Sequence, residues 1–333
     1  DPARHVLGYR LIVVDKAPDP AVYPLAAAVV QVDAYDAEAT LQALRYRCPA
    51  LWEPGQTIDG VLCCCGDMPR TAALVAAEFH LPGMLQSRAK LSTDKLAQKT
   101  ALMAAGLPVP KFQDADDTGW INTLGEIPEW MVFKPADSRG ARGIYLVPRG
   151  YFQETYKKNS RDVSPSGRVV IEEYLSGPQL STESIIQDGR VLFTAIGLRN
   201  YDRRAEFAPY IIEDGYDMPY GDAKLLAEVD SLLKAACLAL HWDNLTVKGD
   251  WIIHDGKLVI LELAARLSGG FFGTHGIPLA YGVPIVDYAI RLALGKKSAP
   301  GAFVTTTKQF VSQRYVFPAP EDIGRRVSLK AYI

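Results

Sequence analysis

Short apolar runs and amphipathic stretches alternate over residues 1–90. Leu11–Val14 is apolar and ends in Asp15, and Ala27–Val32 follows it. Both read as buried strands. Glu38–Tyr46 and Arg70–Phe79 carry helical spacing, and Val61–Cys65 is a further strand-like run. This alternation predicts a parallel sheet with helices on its faces. Residues 91–110, LSTDKLAQKTALMAAGLPVP, predict a helix with clear ends. Ser92 or Thr93 caps it, Asp94 suits its positive end, Gly106 stops it, and Pro108 and Pro110 block continuation. From about residue 130 the pattern turns to hairpins. Trp130–Phe133, Ile144–Val147 and Val169–Leu175 read as strands. Ser181–Gln187 and Arg190–Leu198 flank Asp188-Gly189, while Trp251–His254 and Lys257–Leu263 flank Asp255-Gly256. Both dipeptides are strong hairpin signals. Helices are expected over Leu225–Leu240 and near Ile285–Leu294. Gly8 reads as a helix end and VSLKAYI as an unfinished strand, so flanking residues are expected at both ends.

Composition narrows the classes. A chain of 333 residues with 48% hydrophobic and 22% charged residues is neither disordered nor fibrous. A formal net charge of −2 offers no overall attraction to nucleic acid. No apolar run approaches the roughly 20 residues of a membrane span. The 5 cysteines include the adjacent Cys63, Cys64 and Cys65. An odd count with three neighbours suits a reducing compartment, hence the cytoplasm. These thiols read as small core residues of a strand. The histidines, His5, His80, His241, His254 and His275, show no metal-ligand spacing and read as structural.

Four segments carry candidate chemistry. Lys134 ends an apolar strand in WMVFKPADSRGARGIYLV, before a loop holding Gly140 and Gly143. Glycines admit backbone N–H groups to phosphate oxygens, and Lys adds a point charge. VVIEEYLSGPQ sets Glu172 and Glu173 on a strand; a carboxylate there can accept from an adenine amine, but the segment alone reads more readily as a half-exposed charged edge. Asp250 and Glu262 lie on the second hairpin, where the turn decides their relation. A two-residue turn pairs 254 with 257 and leaves Glu262 on the opposite face from Asp250. A three-residue turn with Gly256 in a bulge gathers Lys248, Asp250 and Glu262, with Trp251, Ile253, Val259, Leu261 and Leu263 as core. The cleaner apolar face favours the second register. Two such carboxylates suit Mg²⁺ or Mn²⁺. Last, LELAARLSGGFFGTHG places Arg266 four residues after Glu262, before the flexible turn Ser268-Gly269-Gly270. Such an Arg can hold a carboxylate or acyl phosphate.

Taken in order, these segments resemble the ATP-grasp superfamily, specifically its carboxylate–amine ligases. The resemblance runs through STDK and AGLPVP, VFKPADSRGARGI, IEEYLSGPQLSTES and KGDWIIHDGKLVILELAARLSGG. LGYRLIVVDKAPD and CGDMPRTAALVAAEFHLPG are similar to that family's leader domain, without its first strand and Gly-rich turn. It implies an α/β plus α+β protein of ATP-grasp fold. A Rossmann-like leader would occupy residues 1–90, a small lid subdomain 91–177 and an antiparallel catalytic subdomain 178–333.

The resemblance also implies roles. Lys95 and Lys134 would grip the ATP phosphates, and the loop from Ser138 through Gly140 to Gly143 would fold over them. Glu172 would meet the adenine amine beside the backbone of Glu173, Tyr174 and Leu175. Asp250 and Glu262 would hold Mg²⁺ or Mn²⁺, and Arg266 would stabilise an acyl phosphate. Gln179 stands where the family usually has a ribose-binding Glu, and Ala264 where it often has Asn. Arg199, Arg203, Arg204, Tyr216, Ser268, Gly269 and Gly270 are candidates to line the substrate pocket. The expected reaction joins a small-molecule carboxylate to an amine, with amino acids or dipeptides among the candidates. No nucleic-acid or membrane partner is expected, and a homodimer stays open. Two other readings remain: an ATP-binding regulatory module of the same fold, and a dinucleotide-dependent oxidoreductase, although no G-x-G-x-x-G follows a strand.

Overall fold

The computed structural model describes residues 8–47, 57–117, 128–150, 153–299 and 301–317. The expected VSLKAYI strand lies outside the described residues. The leader region pairs β1 (Ile12–Asp15) in parallel with β2 (Ala28–Gln31). Helices α1 (Ala37–Tyr46) and α2 (Pro69–Glu78) pack with these strands, and Val30, Ala43, Leu44 and Val75 form a small core. Asp36 caps α1 by accepting from Ala39 N at 2.9 Å. The expected strand over Val61–Cys65 shrinks to one parallel bridge, Cys64 to Leu267. Cys64 and Cys65 are exposed, which corrects their reading as core thiols.

Helix α3 (Lys95–Ala104) is capped by Asp94, whose carboxylate accepts from Ala97 N at 3.1 Å. Ser92 serves elsewhere: its Oγ accepts from Ala265 N at 2.8 Å. Gly106 ends the helix at φ +73°, a conformation that costs glycine least.

A four-stranded antiparallel sheet follows in the order β3–β6–β4–β5, from β3 (Phe112–Asp114), β4 (Trp130–Pro135), β5 (Tyr145–Pro148) and β6 (Val169–Glu173). Helix α4 (Gln153–Asp162) lies against it, with Tyr156 on Tyr145. Strand β6 is therefore interior rather than a charged edge.

The larger sheet runs β11–β10–β7–β8–β9–β12. Its strands are β7 (Gln179–Gln187), β8 (Arg190–Asn200), β9 (Gly215–Met218), β10 (Leu245–His254), β11 (Lys257–Ala264) and β12 (Val311–Arg314). One face packs on α5 (Ala223–Leu240) through Val229, Leu233, Ala236 and Leu240 against Leu180, Val247 and Trp251. On the opposite face Ile185, Ala195 and Met218 meet Ile277, Val283 and helix α6 (Ile285–Ala293). Among the described residues no helix is long and apolar enough to cross a membrane.

The β10–β11 hairpin corrects the expected register. Asp255 and Gly256 both have positive φ, 49° and 73°, so the turn has two residues and pairs His254 with Lys257. Asp tolerates this left-handed conformation, as type I′ turns require. Taken alone, that register would separate Asp250 from Glu262. A bulge restores them: Trp251 pairs with Ile260 and Asp250 with Glu262, leaving Leu261 as the extra residue. Leu258 and Ile260 join the core in place of Val259 and Leu261, which are only half-buried.

Strand β11 is the edge of this sheet, and its outward backbone is taken up by α3 and its flanks. Gln98 accepts from Leu263 N at 2.8 Å and donates to Leu263 O at 2.7 Å. Lys99 Nζ donates to Leu261 O at 2.7 Å, and Ile260 N donates to Pro108 O at 2.9 Å. A polar helix face thus acts as the missing neighbour strand.

The two sheets meet through Ser176-Gly177-Pro178. Gly177 has φ +140°, and a Cβ there would lie 2.0 Å from Ile253 O. Gly177→Ala is expected to cost at least about 2 kcal/mol, from backbone strain plus overpacking. Gly106→Ala, also at positive φ but with open space, should cost about 1 kcal/mol. Urea melts of both variants check this, and equal losses would refute the role of the close contact.

Candidate active site

The cleft between the two sheets collects charge from α3, β4, β6, β10 and β11. Helix α3 presents two lysines one turn apart, Lys95 and Lys99. Lys95 Nζ donates to Ser138 O at 2.9 Å and lies 3.2 Å from Glu262 Oε1. Lys99 is almost wholly buried and lies 3.3 Å from Glu172 Oε1. Lys134, at the end of β4, donates to Glu172 Oε2 at 2.7 Å. Glu172 is 1% exposed, so its carboxylate sits between two ammonium groups rather than at an open edge.

Burial sets the electrostatics of this triad. Desolvation pulls the Lys99 ammonium down to about 8, against the pull of Glu172 in the other direction. Desolvation alone would raise Glu172, but Lys134 and Lys99 outweigh it and hold the carboxyl below its usual range. Lys99 and Glu172 therefore face each other as a charged pair at neutral pH.

Across the cleft, Asp250 and Glu262 face each other on adjacent strands. Asp250 is buried, which opposes its charge, but Lys248 and Arg199 win and bring it to about 2. Arg199 Nη1 lies 3.1 Å from Asp250 Oδ1, and Lys248 bonds the other oxygen. Glu262 keeps about a third of its side-chain surface exposed (32%) towards the opening. Two carboxylates on one face are hard oxygen donors that fit a divalent cation. Ala264 supplies no third donor. Among the described residues no three His, Cys, Asp or Glu side chains gather into a metal cluster. A bound polyphosphate would have to complete such a site.

Beyond Glu262 the chain turns at Arg266. Its Nε donates to Asp67 Oδ1 at 2.5 Å, and Nη1 to Leu267 O at 3.1 Å. Burial disfavours the Arg266 charge, but Asp67 more than offsets it. Ser268 donates its N–H to Glu183 Oε1 at 2.6 Å, and its Oγ bonds the same oxygen. Glu183 is fully buried, and desolvation lifts its carboxyl to about 7 against the Ser268 bonds.

The remaining expected residues fall in different places. Gly140 and Gly143 both have positive φ, at 65° and 72°. In the same loop the Arg139 guanidinium lies 3.4 Å over the Tyr35 ring of the leader region. Glu173 turns its carboxylate to Lys111 N at 2.8 Å, outside the cleft. Leu175 is buried, and Gln179 is half-buried opposite Ile252. Tyr174 accepts from Arg204, whose guanidinium also covers its ring at 4.7 Å. Arg199 is engaged by Glu213 and Asp250, so its guanidinium belongs to the acid network. Arg203 pairs with Glu206 on the surface. Tyr216 is buried against Phe272. Gly269 has open space, whereas a Cβ on Gly270 would lie 2.6 Å from the Tyr315 hydroxyl.

Sequence reasoning missed Lys99, Asp67, Glu183 and Glu213. Lys99 had a signal, its i+4 spacing from Lys95 on one helix face. Glu183 had another, a charge in the middle of an otherwise apolar and hydroxyl-bearing strand. Asp67 had none, because its partner is 199 positions away.

Two outcomes follow from these charges. Lys99→Met leaves Glu172 short of one counter-charge and Leu261 O unbonded, and should cost about 3–5 kcal/mol in urea melts. Asp250 contributes stability that is complete above its unfolded value near 3.8 and is lost as pH falls through about 2. Between pH 5 and pH 3 the wild type should lose about 1 kcal/mol more than Asp250→Asn. Parallel acid dependence of the two proteins would refute the ion pairs at Asp250.

A family model for the ATP-grasp domain matches residues 92–270. Over 300 residues the chain is 26% identical to uncharacterized protein y4rH of Sinorhizobium fredii, covering 86% of this chain and 59% of that protein. It is 24% identical over 206 residues to the L-arginine-specific L-amino acid ligase of Bacillus subtilis, covering 60% of this chain and 49% of that enzyme. The N5-carboxyaminoimidazole synthetase of Staphylococcus aureus, solved with ADP, matches the fold with a TM-score of 0.66. That match is 19% identical and covers 88% of this chain and 72% of the synthetase. The chain spans about half the length of the curated relatives it matches. Its family model covers more than half of its residues, from the helix that bears Lys95 to the turn after Arg266, and the chain belongs to the ATP-grasp family.

Proposed function

We propose that this chain is the catalytic part of an ATP-dependent carboxylate–amine ligase acting on amino acids or short peptides. A substrate carboxylate attacks the γ-phosphorus, giving an acyl phosphate and ADP. An amine then adds to the acyl carbon, the tetrahedral adduct expels phosphate, and an amide forms with loss of the amine proton. The observation that carries this reading is the pairing of Asp250 with Glu262 on adjacent strands, with Lys95 of the preceding helix in contact with Glu262. The amino-acid ligase among the relatives supports the substrate class.

In this reading the chain's own work is placement and charge balance. Lys95 and Lys134 hold phosphate oxygens, and the Ser138–Gly143 loop covers them and excludes water. Lys134 exchanges part of its contact with Glu172 for phosphate. Glu172 and the backbone of Glu173, Tyr174 and Leu175 form the adenine side, with Gln179 at the ribose. Arg266 meets the negative charge that grows on the acyl phosphate oxygens. Asp250 and Glu262 would hold Mg²⁺ or Mn²⁺, which when bound neutralises phosphate charge. Ser268, Gly269 and Gly270 border the substrate end.

Ala264 favours a second reading, an ATP-binding regulatory module, because only two protein carboxylates face a metal. Release of ADP with a panel of amino acids, ATP and Mg²⁺ separates the two. A ligase releases ADP only with a matching carboxylate and amine. Glu262→Ala should then lower kcat about 100-fold, and Lys134→Ala should reduce both turnover and ATP affinity. ATP binding without substrate-dependent ADP from any pair would sink the ligase reading.

A further inference from the structure

Arg266 is the one proposed reacting-centre group whose side chain is held by the leader region. Its partner, Asp67, lies in the turn before α2, and the two side chains are 14% and 23% exposed. Asp67 takes Nε and Leu267 O takes one Nη1 hydrogen. A guanidinium carries five N–H donors in a rigid fork, so three, all on the two terminal nitrogens, have no hydrogen bond among the described residues. The backbone beside Asp67 is tied to the same turn. Cys64 bridges to Leu267, and Cys65 Sγ donates to Ser268 O at 3.4 Å. Glu183 holds Ser268 from the sheet side. The Arg266–Ser268 turn is thus clamped between the leader and β7.

We propose that Asp67 is a positioning residue for ligation: through Nε it fixes the Arg266 guanidinium so that the remaining N–H groups meet the acyl phosphate. This rests on the ligase reading above. An unrestrained Arg would lose rotamer freedom on meeting its ligand. Asp67 moves that cost to folding, before substrate arrives. Asp67 bonds none of the residues proposed to hold the phosphates, so its effect should spare nucleotide affinity.

The test pairs a spectrum with kinetics. In ¹⁵N-labelled protein, the Nε–H signal of Arg266, identified by its loss in Arg266→Lys, should be sharp and slow to exchange. Asp67→Ala should broaden or remove it. The same variant should lower kcat for amide formation by at least about 10-fold while KM for ATP stays within about twofold. Asp67→Asn, which keeps a side-chain oxygen acceptor, should recover much of the loss, and it also serves if Asp67→Ala fails to fold. In an Arg266→Lys background, Asp67→Ala should cost nothing further. An unchanged Arg266 signal, an unchanged kcat, or additive losses would overturn the role. Absence of substrate-dependent ADP from the wild type would instead overturn the ligase reading and, with it, the role in ligation. The spectrum would still report the Asp67–Arg266 contact by itself.

Discussion

The hydrogen bond from Lys99 Nζ to the Leu261 carbonyl holds the irregularity on which the cleft depends. Leu261 is the extra residue that brings Glu262 opposite Asp250. A bulge leaves a backbone carbonyl without its ladder partner, and burial would make that costly. Lys99 supplies the partner, and the same ammonium faces Glu172 on β6. One buried amine therefore couples the register of the large sheet to the charge of the small one. Neither half of this arrangement is stable alone. An unpaired Lys99 would be driven neutral by its surroundings, and an unpaired Glu172 would be driven to protonate.

Charged side chains between the two sheets pair with one another. Lys95 contacts Glu262, Lys134 contacts Glu172, and Lys99 is buried against Glu172. Among the described residues, Glu172 alone pairs with both Lys99 and Lys134. Asp250 and Glu262 occupy directly paired positions, Glu262 beside Lys95 and Asp250 beside Lys248 and Arg199, which hold the Asp250 carboxyl low. In the proposed reading, a polyphosphate with a divalent cation would meet both the lysines and the carboxylates. The leader adds its own contacts to this centre, through Asp67 at Arg266 and Tyr35 at Arg139. Its packing on the body therefore bears on the geometry of the chemistry as well as on stability.

Much of this was legible in the chain itself. Periodicity located α1, α2, α3, α5 and most hairpin strands within a few residues, because their burial follows simple 3.6 and 2.0 periods. The resemblance placed Lys95, Lys134, Asp250, Glu262 and Arg266 in one expected site; in the structure Lys95 contacts Glu262, and Glu262 pairs with Asp250. The register of β10 and β11 was not legible. The choice between turns rested on the cleaner apolar face, but a mid-strand bulge changes the parity of every position beyond it. Short strands such as β9 and β12 escaped because their neighbours, not their sequences, make them strands. Asp67 escaped for the same reason, since only the fold supplies its partner.

The helix that mimics a strand has a consequence for self-association. Backbone groups on an open sheet edge invite a second copy to add its own strand. Here Gln98, Lys99 and Pro108 occupy the outer positions of β11 at Leu263, Leu261 and Ile260. A partner strand would have to evict α3, and with it the lysines of the cleft. Assembly through this edge and an intact cleft therefore exclude each other, so an assembled and working form of the protein must pair through some other surface.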